Sequence, residues 1–124
     1  MTIKQVSEKY NISQDTLRYY EKVGMIPAVA RTSGGIRNYT ESDLGWVEHA
    51  LCMRSAGLPV GAIIEYLKLF QQGDETIHAR AELLKSQREI LLDQKAQIES
   101  TLDRLNYKIS KYEEAEKTGI LKWD

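Results

Sequence analysis

Ile77, Leu84, Leu91, Ile98, Leu105 and Tyr112 recur at every seventh position, six times in succession. A strict seven-residue apolar repeat bends a helix into a left-handed supercoil and needs a partner helix to cover the stripe. The positions four residues on from these are Ala81, Arg88, Lys95, Leu102 and Ile109, apolar at both ends and basic in the middle. From residue 75 to 112 such a helix would extend roughly 57 Å at 1.5 Å per residue. The 124-residue chain offers no second long helix to cover it, so the expected partner is another copy and the expected state is a homodimer. Ile77, Leu84, Leu91, Ile98, Leu102, Leu105 and Ile109 are the dimerisation candidates. Arg88 and Lys95 demand acidic or solvated surroundings and so disfavour other registers. The alternative, a lone amphipathic helix lying on the rest of the protein, is opposed by the length of the repeat.

What precedes the repeat is a small domain, because 124 residues suit one compact domain or a small domain plus an extended element. A chain with 42% apolar and 28% charged residues folds rather than staying disordered. No apolar run reaches the roughly 18 residues of a membrane span, and no signal peptide is visible. The single cysteine, Cys52, precludes an intrachain disulfide and fits a reducing cytoplasm. Net charge is −1, yet it is unevenly spread: residues 1–40 hold six Lys/Arg against three acids, and residues 41–124 hold eleven against fifteen. A basic domain ahead of an acidic helix is compatible with binding DNA, because attraction to phosphate is local.

The basic segment reads as two short helices and a hairpin. Thr2 and Gln5 have capping-box spacing, and Ile3, Val6 and Tyr10 share one helical face. Asn11 suits the left-handed residue that ends a helix. Ser13 caps the next helix, Asp15 lies in its positive first turn, and Gly24 stops it. This is a helix-turn-helix outline with residues 14–22 as the inserting helix. Ile12 and Leu17 point inward; Gln14 and Arg18 point outward, flanked by Asp15, Tyr19 and Lys22. Arg18 and Tyr19 suit DNA, whereas Tyr20, three residues from Leu17, fits either a DNA or a packing role. Val29–Arg31 and Ile36–Tyr39 are short strand candidates around Thr32-Ser33-Gly34-Gly35, a wing that would ride the phosphate backbone through Arg31, Arg37 and Tyr39. Alternation sets Arg37 and Tyr39 on one face, with Tyr39 either facing DNA or folded onto the core.

Two more helices follow. The first is capped by Thr40 with Asp43, carries Leu44, Val47 and Leu51, and ends at Gly57. The second runs from Val60 to about Gln72 after Pro59. Gly73 and Asp74 then read as a stop and a fresh N-cap. The implied organisation is a DNA-binding domain over 1–73, a dimerisation helix over 74–112, and a short tail over 113–124 with no effector domain. No Ser/His/Asp set, phosphate loop or paired carboxylates point to an enzyme. No cysteine lies beyond residue 52, and His49 and His78 are far apart, so neither a metal nor a cofactor site is expected.

ISQDTLRYYEKVGMIP, then R-x-x-G-G-x-R-x-Y, then AGLPVGAIIEYL and a long helix, resembles the MerR family of bacterial transcription regulators from residue 1 to about 112. The resemblance implies a mainly α fold: a winged helix-turn-helix head followed by a long helix that forms an antiparallel coiled-coil dimer. It implies binding to double-stranded promoter DNA in an over-long spacer, and distortion of that DNA so that RNA polymerase can engage both promoter elements. By motif position, Arg18, Tyr19, Arg37 and Tyr39 take DNA-contact roles, with Thr16, Tyr20, Arg31 and Asn38 as neighbours.

DLGWVEHALCMRSAGLP and the F-x-x-G-D-E-T stretch from Phe70 to Thr76 resemble the thiol-stress, aldehyde-responsive (AdhR-like) branch of that family. The branch implies that Cys52 reacts with aldehydes or other electrophiles. Such reactivity needs a thiolate and therefore nearby positive charge. His49 and Arg54 are close in sequence, Arg18 or Arg37 could approach in the fold, and Glu48 acts in the opposite direction. The other reading of Cys52 is an inert packing residue beside Leu51. A coiled-coil adaptor that binds only protein would leave the Arg/Tyr surface unused. An architectural DNA-bending protein without a signal would use it as well as a regulator does.

Overall fold

The computed structural model describes residues 1–123. Thr2 starts α1 (Ile3–Tyr10) with a complete capping box: its hydroxyl accepts the Gln5 N–H at 3.2 Å, and Gln5 Oε1 accepts the Thr2 N–H at 2.9 Å. Asn11 ends the helix with φ 53°, a left-handed conformation that its short polar side chain tolerates. The Ser7 hydroxyl donates to the Ile12 carbonyl, and the Ile12 N–H donates back to the Ser7 carbonyl. That closed turn leads into α2 (Gln14–Val23), where Ser13 accepts the Thr16 N–H at 3.0 Å. Gly24 stops α2 at φ 86°, where an L side chain would be strained. The Met25 and Ile26 N–H groups then both turn back to the Tyr20 carbonyl.

The hairpin is simpler than its sequence suggests. The two expected strands reduce to one antiparallel bridge, Arg31 with Arg37, and no longer strand occurs among the described residues. Thr32 N–H donates to the Ile36 carbonyl at 2.8 Å and Asn38 N–H to the Ala30 carbonyl at 2.7 Å, around a turn closed by Gly35 N–H on Thr32 O. The arms are too short, and lack the third strand, to extend a ladder. Their alternation survives: Ile36 is exposed, while Val29 and Tyr39 are buried.

Thr40 and Asp43 form the second capping box, opening α3 (Glu41–Ser55); α4 (Val60–Gln72) follows, capped by Pro59. Asp43 is buried and its Oδ2 accepts from Thr40 N–H, Thr40 hydroxyl and, at 3.4 Å, the Ala30 N–H of the hairpin. A single 3-10 turn, Asp74–Thr76, separates α4 from α5 (Ile77–Thr118), so the long helix starts at the first residue of the repeat and ends six residues beyond Tyr112, its last. The core joins Val6 of α1, Leu17 and Tyr20 of α2, Met25, Ile26, Val29 and Tyr39 of the hairpin region, Leu44, Val47 and Ala50 of α3, and Ile63 and Leu67 of α4. Ala50, rather than Leu51, completes the buried stripe of α3.

The chain divides into two compact units, the first being Met1–Lys85. In it, Arg80 of α5 lies over the Phe70 ring at 5.2 Å and donates to the Gly73 carbonyl at 3.2 Å, so the opening turns of α5 belong with α4. The second unit begins at Ser86 and comprises the rest of α5 and the segment after it. Its apolar residues are uncovered: Ile98 is 61% exposed, and Leu102, Leu105, Ile109 and Tyr112 are each near half. No residue of α5 is buried. After Thr118, Gly119 turns the chain so that the Trp123 ring meets Tyr112 edge-on at 5.8 Å.

Candidate nucleic-acid interface

Leu17 and Tyr20 anchor α2 in the core, which turns Gln14, Asp15, Arg18 and Tyr19 outward. Arg18 Nη1 meets Asp15 Oδ1 at 2.9 Å and its Nη2 meets Gln14 Oε1 at 3.3 Å. Asp15 is almost fully exposed, and such a surface pair is worth no more than about 1 kcal/mol, so a phosphate or base edge can take over the guanidinium. Tyr19 is 46% exposed and tilts against Tyr20 at 6.5 Å. Thr16 shares its hydroxyl with Ser13 at 2.8 Å at the N-terminal end of the helix.

The wing is bound to α2 through Glu21. Its Oε1 accepts from Arg37 Nε at 2.7 Å and lies 4.0 Å from Arg31 Nη2; its Oε2 accepts the Val29 N–H at 2.9 Å. Burial alone would raise the Glu21 pKa, but the bonds from Arg37 and Val29 and the charges of both arginines bring it below the usual carboxylate value. Arg31 also donates from Nη1 to the Gly35 carbonyl at 2.9 Å. Asn38 is exposed and accepts from the Met1 ammonium at 3.3 Å. Sequence reasoning named both arginines and missed Glu21. Helical spacing places it one turn beyond Arg18, on the face of α2 that carries Arg18 and Gln14, but does not join it to the hairpin.

Tyr39 is where sequence left two roles open, and the structure folds it inward: it is 2% exposed and its hydroxyl meets no hydrogen-bond partner. Burial raises its pKa; Arg37 opposes this, Glu21 and Asp43 add to it, and Arg18 opposes it more weakly. The hydroxyl therefore lies within the fields of Arg18 on the helix and Arg37 on the wing. Tyr20 is likewise buried. Of the tyrosines Tyr19, Tyr20 and Tyr39, Tyr19 alone is exposed.

The surroundings of Cys52 differ from those expected. The side chain is exposed, not packed, but the anticipated cations are engaged elsewhere. Arg18 is on Asp15, Arg37 on Glu21, and Arg54 donates to the Leu58 carbonyl at 2.8 Å. His49 lies between Trp46 and Tyr66, with ring centroids 5.5 and 4.9 Å away, and burial lowers its pKa, so it is neutral at pH 7. Glu48 is turned to Tyr10, whose hydroxyl it accepts at 2.6 Å.

Against this geometry, residues 1–69 match the MerR HTH family regulatory protein family. The chain belongs to the MerR family. It is 47% identical over 93 residues to the HTH-type transcriptional regulator AdhR of Bacillus subtilis, a match covering 75% of this chain and 66% of AdhR, just under two thirds. An HTH-type transcriptional regulator of Haemophilus influenzae is 34% identical over 121 residues, 98% of this chain and 90% of that protein. Among solved structures, a Listeria monocytogenes protein assigned to the MerR family of transcriptional regulators superposes with TM-score 0.85 at 45% identity, covering 91% of this chain and 86% of that one. The structure of HiNmlR, described as a MerR family regulator lacking the sensor domain and bound to promoter DNA, superposes with TM-score 0.81 at 33% identity, covering 97% and 95%. This MerR protein thus belongs to a family of transcription regulators, and its sequence is similar to that of AdhR. No helix among its described residues is long and apolar enough to cross a membrane.

Proposed function

We propose that this MerR protein binds promoter DNA as a homodimer, in the cytoplasm, and switches transcription by distorting the promoter spacer so that RNA polymerase can engage it. Residues 1–73 serve as the DNA-binding part, 74–112 as the dimerising helix, and 113–124 as a tail. The observation that carries this reading is the joining of Arg31 and Arg37 of the wing to the recognition helix through one carboxylate, Glu21. Helix and wing thereby act as one surface, with Arg18, Tyr19, Thr16 and Asn38 as the remaining contact groups and Tyr20 and Tyr39 as supports. The promoter-bound state of the related HiNmlR supports the choice of ligand. The stripe Ile77, Leu84, Leu91, Ile98, Leu102, Leu105 and Ile109, exposed at every position but the half-buried Leu91, supports the dimer: a second copy of the same helix removes that apolar surface from water.

The signal we propose is a reactive aldehyde or related electrophile acting on Cys52. Exposure of the thiol and the AdhR-like sequence around it support this. The Cys52 sulfur, deprotonated, adds to the carbonyl carbon, the C=O π pair moves to oxygen, and that oxygen takes a proton from water, giving a hemithioacetal without redox change. The neutral state of His49 and the engagement of Arg54 favour a second reading, a regulator in which Cys52 does not sense. In-vitro transcription with RNA polymerase, with and without formaldehyde or methylglyoxal, separates them. Induction in wild type that is lost in Cys52→Ser supports the thiol switch. Equal induction in both assigns the switch to other residues, and no response in either removes the electrophile.

A further inference from the structure

The wing forms no sheet: its two arms share only the single bridge between Arg31 and Arg37. A two-stranded ribbon of this length does not set its own angle against a helix. That same bridge places two guanidinium-bearing residues side by side, where like charges repel. Asp43 ties the Ala30 N–H to α3, and the group that joins the wing to α2 and faces both arginines is Glu21, whose side chain is 12% exposed. One of its oxygens receives Arg37 and faces Arg31, and the other receives the Val29 N–H on the arm leading into the bridge. Arg37 is engaged through Nε at 2.7 Å, the inner nitrogen of the guanidinium fork, so that its Nη edge is the part left to meet a phosphate.

We infer that Glu21 is a positioning residue for DNA recognition, fixing the two wing arginines at a set distance and facing from the recognition helix. The inference rests on the DNA-binding reading above and deepens it. A carboxylate beside a phosphate-binding surface repels DNA at any sequence, so Glu21 weakens indiscriminate binding. What it contributes is register: only DNA whose groove and backbone fit the fixed helix-to-wing spacing meets both elements at once. Glu21 therefore trades affinity for discrimination and touches no base itself.

The test uses the full chain and duplexes that the wild type selects from a random pool, compared with unselected duplexes of equal length. Wild type, Glu21→Gln, Arg37→Ala and the double variant are titrated at a salt concentration where Arg37→Ala still binds. Glu21→Gln should bind unselected DNA as well as or better than wild type, and its preference for selected DNA should fall about tenfold, the loss of one charge-assisted anchor. In the Arg37→Ala background the same change should move that preference by less than about twofold, because the residue acts through Arg37. An unchanged preference in Glu21→Gln overturns the inference, and so does an equal fall in both backgrounds, which would mark a general packing role. Glu21→Asp keeps the charge but not the reach, so it should lose preference too; wild-type behaviour in that variant also overturns the inference. A wild type that selects no sequence removes the DNA-binding reading itself, an outcome distinct from all of these.

Discussion

Tyr10 donates its hydroxyl to Glu48 across 2.6 Å and so joins α1 to α3. Partial burial, then the Glu48 bond and the charges of Glu48 and Glu41, raise the Tyr10 pKa from 10.0 to about 12. A phenol whose folded pKa lies above its unfolded value contributes stability below the unfolded pKa and loses it as pH rises through the folded one. Tyr10→Phe should therefore be less stable than wild type at pH 8, by about 0.5–1.5 kcal/mol for one hydrogen bond. The gap should close as pH rises from about 10 towards 12. Urea unfolding of both proteins at pH 8, 10 and 11.5 measures this; a gap that stays constant would show that the bond does not titrate.

His49 gives the opposite limb. Burial between Trp46 and Tyr66 lowers its pKa, and its buried Nε2 has no partner. The unfolded chain then binds the proton more readily, so stability present above the unfolded value of about 6.5 is lost as pH falls below it. His49→Phe keeps a ring between the two aromatics and removes the titrating group. It should unfold no more easily than wild type at pH 7 and lose less stability on going to pH 5, read as melting temperature at the two pH values.

Much of this was legible in the sequence for a local reason. Thr2 with Gln5, Thr40 with Asp43, and Gly24 are cap signals within one turn of their helices, and all operate as read. The reach of α5 was less legible: the apolar repeat stops at Tyr112, but Glu, Ala and Lys favour helix and carry it to Thr118, where Gly119 follows. Contacts between elements were not legible. Glu21 and Arg37 are sixteen residues apart, and no periodicity links a helix face to a hairpin. Alternation could pair Arg37 with Tyr39 but could not tell which of them the core would claim. Cys52 shows the same limit, since the cations that sequence allowed near it find other partners in the fold.

On α5, Leu105 is 52% exposed. A lone surface residue tolerates substitution to within about 0.5 kcal/mol, whereas a carboxylate buried at a helix seam is costly. Leu105→Glu should convert a sedimenting dimer to a monomer at micromolar concentration and abolish the dependence of melting temperature on protein concentration. An unaltered sedimentation coefficient would remove Leu105 from the interface.

Arg18 is held only by exposed hydrogen bonds, to Asp15 and Gln14, so its removal leaves the core intact. Arg18→Ala should melt within about 0.5 kcal/mol of wild type. If it reads a guanine, operator binding should weaken by about 1–3 kcal/mol and the base preference at one position should relax. Footprinting on operators mutated one base pair at a time would show the position, and an unchanged pattern would return Arg18 to solvent.

The carboxylate of Asp43 starts α3 through Thr40 and also receives the Ala30 N–H of the hairpin. The wing and the first turn of α3 consequently share an acceptor, and neither can open without loosening the other. Their amide protons belong to one opening unit, so the Ala30 and Thr40 amides should exchange with solvent deuterium at matched rates, and anything that steadies the wing should slow both.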